Sequence, residues 1–407
     1  MVPVSDALKM VHGETLPLGT ERIHVSECVG RVLAEDIVSD SDVPPFDRSQ
    51  MDGFAIVASD TVHTPVQLKI VGESAAGGGW HHTVNPGEAV RIMTGAPVPA
   101  GADAVQRVEL TSEGAGGITY GPASGGTVTI FEPVKQGKSI VTRGAEVKKG
   151  EVVLRAGQII TRNNIAVPAA FGYTNVLVSK KPHVAILSTG SEVVDIDVEP
   201  GRDQIRNSNS VMLSAMVEYA GASAHSFGTT GDDIAAIKTR LTEAADGNEI
   251  LVITGGVSVG KYDLTKQALR ELGAKILFEK VCLKPGKPTV FAKLGETLIF
   301  GLPGNPVSAA VAFHLFVRTA LMIMEGASKA VSRSGHATSA SDIKAAKDRD
   351  TYLPSQLETD QHGRLVARTL RSQGSSDFIG YAHADALVFL AAGESCKEGG
   401  VVEILYL

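Results

Sequence analysis

Between Glu249 and Pro306 the chain carries three loops rich in glycine, proline or lysine among short apolar runs, and no other stretch limits the possible folds so strongly. The first run, Glu249-Ile250-Leu251-Val252-Ile253-Thr254, is largely β-branched and free of charge after its first residue, the pattern of a parallel strand buried on both faces. It empties into Gly255-Gly256-Val257-Ser258-Val259-Gly260-Lys261-Tyr262-Asp263. Glycines there let backbone N–H groups approach a ligand, and the carboxyl end of a parallel strand is where such sheets bind one. Asp263 is placed to cap a helix whose apolar positions Leu264, Ala268 and Leu272 recur at helical spacing.

The second loop, residues 280–288, gathers Lys280, Lys284 and Lys287, their directions fixed by Pro285 and Pro288, in an otherwise acidic chain, which suits an anion. The third, Gly301-Leu302-Pro303-Gly304-Asn305-Pro306, follows a predicted strand at 297–300 and opens an apolar helix. Asn305 fits the N-cap and Pro306 the first helical position, so unpaired N–H groups and the positive end of the helix dipole face the same crevice. Alone, each signal describes a turn or a solvated loop. Together, within one βαβ region, they point to a phosphate- or oxyanion-binding site.

Composition bounds the rest. A chain of 407 residues exceeds one ordinary core and implies two to four domains. With 43% apolar and 20% charged residues it is globular. No apolar run is expected to reach membrane-spanning length and the N-terminus lacks a signal-peptide core, so the expected location is cytoplasmic, with no membrane partner. Cys28, Cys282 and Cys396 are too scattered for a disulfide framework or a zinc site. A net charge of −7 disfavours nucleic acid as a partner, so an anionic ligand must be small and met by a local cluster.

The segments Thr254-Gly255-Gly256-Val257-Ser258-Val259-Gly260, Lys284-Pro285-Gly286-Lys287-Pro288 and residues 301–306 resemble signature segments of the MoeA/gephyrin E-domain family, the molybdopterin molybdenumtransferases. The resemblance covers nearly the whole chain. Residues 46–55, Phe46-Asp47-Arg48-Ser49-Gln50-Met51-Asp52-Gly53-Phe54-Ala55, are similar to a family motif whose second acid corresponds to Asp52. Arg48 stands where the family has Asn, and Phe54 where it has Tyr. Arg91-Ile92-Met93-Thr94-Gly95-Ala96-Pro97 is similar to another, with Thr94 as its functional hydroxyl. Glu146 takes the place of a family Asp.

The expected fold is multidomain α/β plus β. A central doubly wound α/β molybdopterin-binding domain covers 180–327, a β-rich domain 44–145 and a C-terminal β-barrel 328–407. Residues 1–43 and 146–179 form what the resemblance implies is an elongated N-terminal dimerisation domain. The reaction it implies takes adenylylated molybdopterin and molybdate to molybdenum cofactor and AMP, with Mg²⁺ assisting. By the same resemblance Asp52, Thr94, Glu192, Asp232, Asp263, Lys280 and Lys284 are the catalytic residues, and Asp232 and Asp263 hold the metal. Gly255, Gly256, Ser258, Gly260, Pro303, Gly304, Asn305, Pro306 and Ser375 are expected to bind the substrate. The implied assembly is a homodimer with sites shared between subunits, and a molybdopterin adenylyltransferase is the upstream partner. Two rival readings are a molybdopterin adenylyltransferase and a non-catalytic dimeric scaffold of the gephyrin type. The additional domains at 1–179 and 328–407 argue against the first. The intact acids and lysines, without a fused adenylyltransferase domain, argue against the second.

Overall fold

A computed structural model describes residues 1–115, 125–256, 264–329, 333–370 and 374–407. Ser258, Gly260 and Asp263, expected in the first glycine loop, lie outside the described residues. Two compact units are present. The first comprises Met1–Glu35, Ala156–Ile165 and Asn175–Leu407, the second Asp36–Arg155 and Ala166–Thr174.

The first unit is built on a six-stranded sheet. In chain order its strands are β1 (His183–Thr189), β2 (Ser223–Thr230), β3 (Ile250–Thr254), β4 (Lys275–Phe278), β5 (Val290–Leu294) and β6 (Thr297–Leu302). They lie side by side as β2-β1-β3-β6-β5-β4. The first four of that row run parallel, as the unbroken apolar runs of β1 and β3 predict. The sheet is mixed, because β5 and β6 form an antiparallel hairpin and β4 pairs antiparallel with β5 at the edge. Gly295, at φ +57°, supplies the left-handed residue in the turn between β5 and β6.

Alternation along the strands feeds two cores. Val184, Ile186, Ile250, Val252, Leu298 and Phe300 face one side. There they meet helix α1 (Ser208–Tyr219) and the long helix starting at Pro306. Ala185, Leu187, Leu251, Ile253 and Ile299 face the other, against α2 (Ile234–Ala245) and α3 (Leu264–Glu271). Each fully buried aliphatic side chain is worth about 1.5–3 kcal/mol, so two-sided burial makes these strands the rigid base of the unit.

The long helix, α4 (Pro306–Met324), corrects one expectation. It runs 19 residues with mean hydropathy 1.8, enough by length and composition to cross a bilayer, but 94% of that stretch is buried inside the protein. It is a core helix. A π-helical turn, Phe313–Val317, interrupts it at its centre. The helix Val4–Glu14 adds Val4, Ala7 and Val11 to the same core.

Residues beyond α4 form a closed five-stranded barrel of β7 (Ser334–Ser339), β8 (Asp350–Thr359), β9 (Leu365–Thr369), β10 (Ala386–Leu390) and β11 (Val401–Tyr406). The order is β8-β9-β7-β11-β10, and β10 pairs back onto β8. A single helical turn, α5 (Phe378–Tyr381), precedes β10. In the second unit the strands Ala104–Arg107, Gly53–Ile56, Glu88–Ile92, Val66–Ser74 and Thr127–Ile130 form one sheet in that order, as the strand-rich reading of this region predicts.

Candidate active site

The carboxyl ends of β1, β3 and β6 open onto one crevice, and the two residues just beyond β3 are glycines for steric reasons. Gly255 and Gly256 adopt φ of +87° and +61°. A Cβ on Gly255 would come within 2.3 Å of the Thr189 carbonyl oxygen. One on Gly256 would lie 2.4 Å from Thr189 Oγ1 and 2.5 Å from Thr265 Oγ1. Only glycine fits such a turn. Asn209, at the start of α1, ties two loops together: its Nδ2 donates to Thr254 Oγ1 at 2.8 Å and to the Gly304 carbonyl at 2.7 Å. The resulting cavity, about 630 Å³, is lined by Glu192, Arg206, Asn209, Gly255, Gly304 and Phe378 among others.

A second cavity of about 530 Å³ lies against the lysine loop. Lys284, Lys287, Pro303, Arg349 and Ser375 line it. The lysine loop is anchored to the barrel by the parallel pairing of Leu283–Lys284 with Asp350 and Thr351 at the start of β8, which brings Arg349 alongside. Asn305 lines both cavities. It occupies the N-cap position and Pro306 the first helical position, as predicted, yet the Asn305 side chain makes no capping bond. Instead its Nδ2 donates to Ser375 Oγ at 2.7 Å, and the Val307 N–H donates to the Ser375 carbonyl at 3.2 Å. One of the helix-start N–H groups is therefore already used.

Glu192 lines the larger cavity. Asp232 reaches the same 190–192 turn, accepting from Ser191 Oγ at 2.9 Å and from its N–H at 3.4 Å. Among the described residues no group of three or more His, Cys, Asp or Glu side chains has metal-binding geometry. A magnesium ion that also binds substrate phosphates needs only one or two carboxylates, a number that Glu192, in the cavity wall, and Asp232, bonded to the adjacent Ser191 but not itself lining the cavity, can supply. Lys280 is not among the lining residues of either cavity; its carbonyl accepts from the Val2 N–H at 2.9 Å.

In the second unit Asp52 and Thr94 form a pair. Asp52 Oδ1 accepts from the Thr94 N–H at 2.6 Å and from Thr94 Oγ1 at 2.7 Å. The backbone bond first, and the hydroxyl second, hold the Asp52 carboxyl below its usual range. Arg48 and Glu146, the two charged departures from the family pattern, meet each other in an exposed ion pair at 3.2 Å. Phe54 lies under the Arg91 guanidinium, 5.0 Å from ring centre to Cζ.

The sequence reading missed Arg206, Asn209, Arg349 and Phe378. Asn209 sits in a run, Asn207-Ser208-Asn209, that reads as a helix start, and nothing local marks it as a bridge between loops. Arg349 becomes visible only through the pairing of the lysine loop with β8.

An α/β sheet whose strand ends open onto a glycine-lined crevice, next to a lysine-bearing cavity completed by a β-barrel, defines a class of small-anion and nucleotide-handling proteins. Comparison with known proteins narrows the class. The MoeA N-terminal region (domain I and II) matches residues 2–172, a probable molybdopterin binding domain 185–322, and the MoeA C-terminal region (domain IV) 336–407. A molybdopterin molybdenumtransferase of Staphylococcus aureus (strain COL) is 34% identical over 99% of this chain and 95% of its own length. The crystal structure of the molybdopterin biosynthesis moeA protein from Pyrococcus horikoshii OT3 superposes with a TM-score of 0.84 at 32% identity, covering 100% of both chains. A second Pyrococcus structure of the same description has a TM-score of 0.78 at 30% identity over 100% of this chain and 99% of its own. The chain belongs to the molybdopterin molybdenumtransferase family.

Proposed function

We propose that this chain carries out the reaction its family is named for, inserting molybdenum from molybdate into adenylylated molybdopterin with release of AMP in molybdenum cofactor biosynthesis. The observation that carries the reading is the pair of cavities joined at Asn305. One has glycine turns and the carboxylate of Glu192, the other two lysines and an arginine, and the substrates require both kinds of surface. Lys284, Lys287 and Arg349 offer charge-assisted donors to a tetrahedral oxyanion. The turns at Gly255 and Gly304 allow the substrate's diphosphate to approach the backbone. Glu192 and Asp232 are the described residues that would hold Mg²⁺, with Asp263 as a third acid expected from the sequence. When bound, that ion supplies charge neutralisation at the diphosphate.

The reading extends to a cytoplasmic homodimer in which Asp52 and Thr94 of one subunit complete the partner's site. An upstream adenylyltransferase must supply the activated pterin. The test is direct: purified protein is given adenylylated molybdopterin, molybdate and Mg²⁺, and AMP is quantified. Molybdate-dependent AMP release supports the reaction. AMP release without incorporation of molybdenum, or none at all, overturns it.

A further inference from the structure

Phe378 is an exposed aromatic residue, 49% accessible, and its ring is the one aromatic among the described residues lining the larger cavity. An accessible Phe in a concave site is costly in water and gains most from a ligand with a flat apolar face. The segment that carries it is held at both ends. On one side Ser375 is bonded to Asn305 and Val307, as described above. On the other, Tyr381 Oη lies 3.5 Å from Nε2 of His314, within the π-helical turn of α4. Between them Asp377 accepts from the Gly380 N–H at 3.0 Å, closing the helical turn, and the Phe378 N–H donates to the Ser376 carbonyl at 2.9 Å. Ile205 and Pro200 line the same cavity and add apolar surface.

We propose that Phe378 is the stacking surface for the adenine ring of the adenylylated substrate, and that the larger cavity is the adenylate end of a two-part site. The proposal rests on the reaction proposed above. Its substrate has two flat ring systems, and the clustering of three cations at one cavity separates them, the larger cavity having only one, Arg206, among its described lining residues. Lys284, Lys287 and Arg349 all line the smaller cavity. A molybdate held there must meet the dithiolene, which belongs to the pterin half of the substrate. The diphosphate then crosses at Asn305, the residue common to both cavities, and the adenosine enters the cavity walled by Phe378.

AMP alone is the probe, titrated into the full-length protein by calorimetry. Phe378→Ala should weaken AMP binding by about tenfold, in the range of losing one base–aromatic stack, while Phe378→Tyr stays within about twofold of the parent. Phe378→Leu, which keeps apolar bulk without a π face, should fall between them. Thermal midpoints and the affinity for molybdate should not move. In turnover, the KM for adenylylated molybdopterin should rise with kcat little changed. Unchanged AMP affinity in the alanine variant, with the parent binding AMP normally, overturns the proposal and leaves the reaction standing. Weaker binding of unadenylylated molybdopterin with AMP untouched also overturns it, because the stacked ring would then be the pterin. A parent protein that neither binds nor releases AMP would instead sink the reaction, and this inference with it.

Discussion

Lys284 has a paired backbone and an exposed head. Its main chain pairs with Thr351 of the barrel, and its side chain is exposed at the wall of the smaller cavity. An ammonium there is a point charge with three donors and no required fork, which suits a small tetrahedral anion. Losing one charge-assisted contact of about 1.5–3 kcal/mol corresponds to at least tenfold in affinity. Lys284→Ala should therefore raise the molybdate concentration for half-maximal AMP release by about tenfold or more. Lys280→Ala is the informative comparison, since that residue is outside both cavities. A larger rise in the Lys280 variant, with Lys284→Ala unchanged, would move the anion to the start of the loop and refute the assignment.

At the scale of elements, the end of α4 carries a buried acid with a measurable consequence. Burial raises the Glu325 carboxyl to about 7, opposed by the nearby positive charges of Arg31 and Lys181. The sign follows from linkage. Between pH 4.5 and about 7 the unfolded chain has lost this proton while the folded protein keeps it, so stability falls as pH rises through that window. The full penalty, reached above it, is on the order of 3 kcal/mol. Glu325→Gln should match the parent's thermal midpoint near pH 4.5 and exceed it at pH 8. An offset that is the same at both pH values would remove Glu325 as the cause.

The same elements show what can be read from sequence. The strands β1 and β3 and the turn at Gly255 were legible because two-sided burial and a left-handed backbone leave direct marks on residue type. The antiparallel strands Lys275–Phe278 and Val290–Leu294 were not, since their direction is set by pairing with the neighbouring strand and not by residue type. Asn305 was legible as a helix start, but not as the hinge between two cavities. That role depends on Ser375, 70 residues away, whose position is set by barrel closure and not by any local pattern.

At the scale of the whole molecule, the Asp52–Thr94 pair and the two cavities fall in different units of the chain. Both residues belong to the second unit, which the chain enters after Glu35 and finally leaves at Thr174, whereas every residue lining the two cavities belongs to the first. Thr94 keeps the Asp52 carboxylate ionised and fixed in direction, which equips it to act on a substrate. A two-fold dimer offers a way to combine such separate parts, because each chain can present its pair to its partner's cavities. Under that arrangement Asp52→Ala and Lys284→Ala should each be inactive as homodimers. Mixed and reassociated, they should regain activity, since a heterodimer has one site with both residues intact and one with neither. Random pairing makes about half of the dimers heterodimeric, so recovery should approach roughly a quarter of parent activity if the sites work independently. Native mass spectrometry would establish that heterodimers had formed. Heterodimers without activity would mean that Asp52 serves its own chain's site or none.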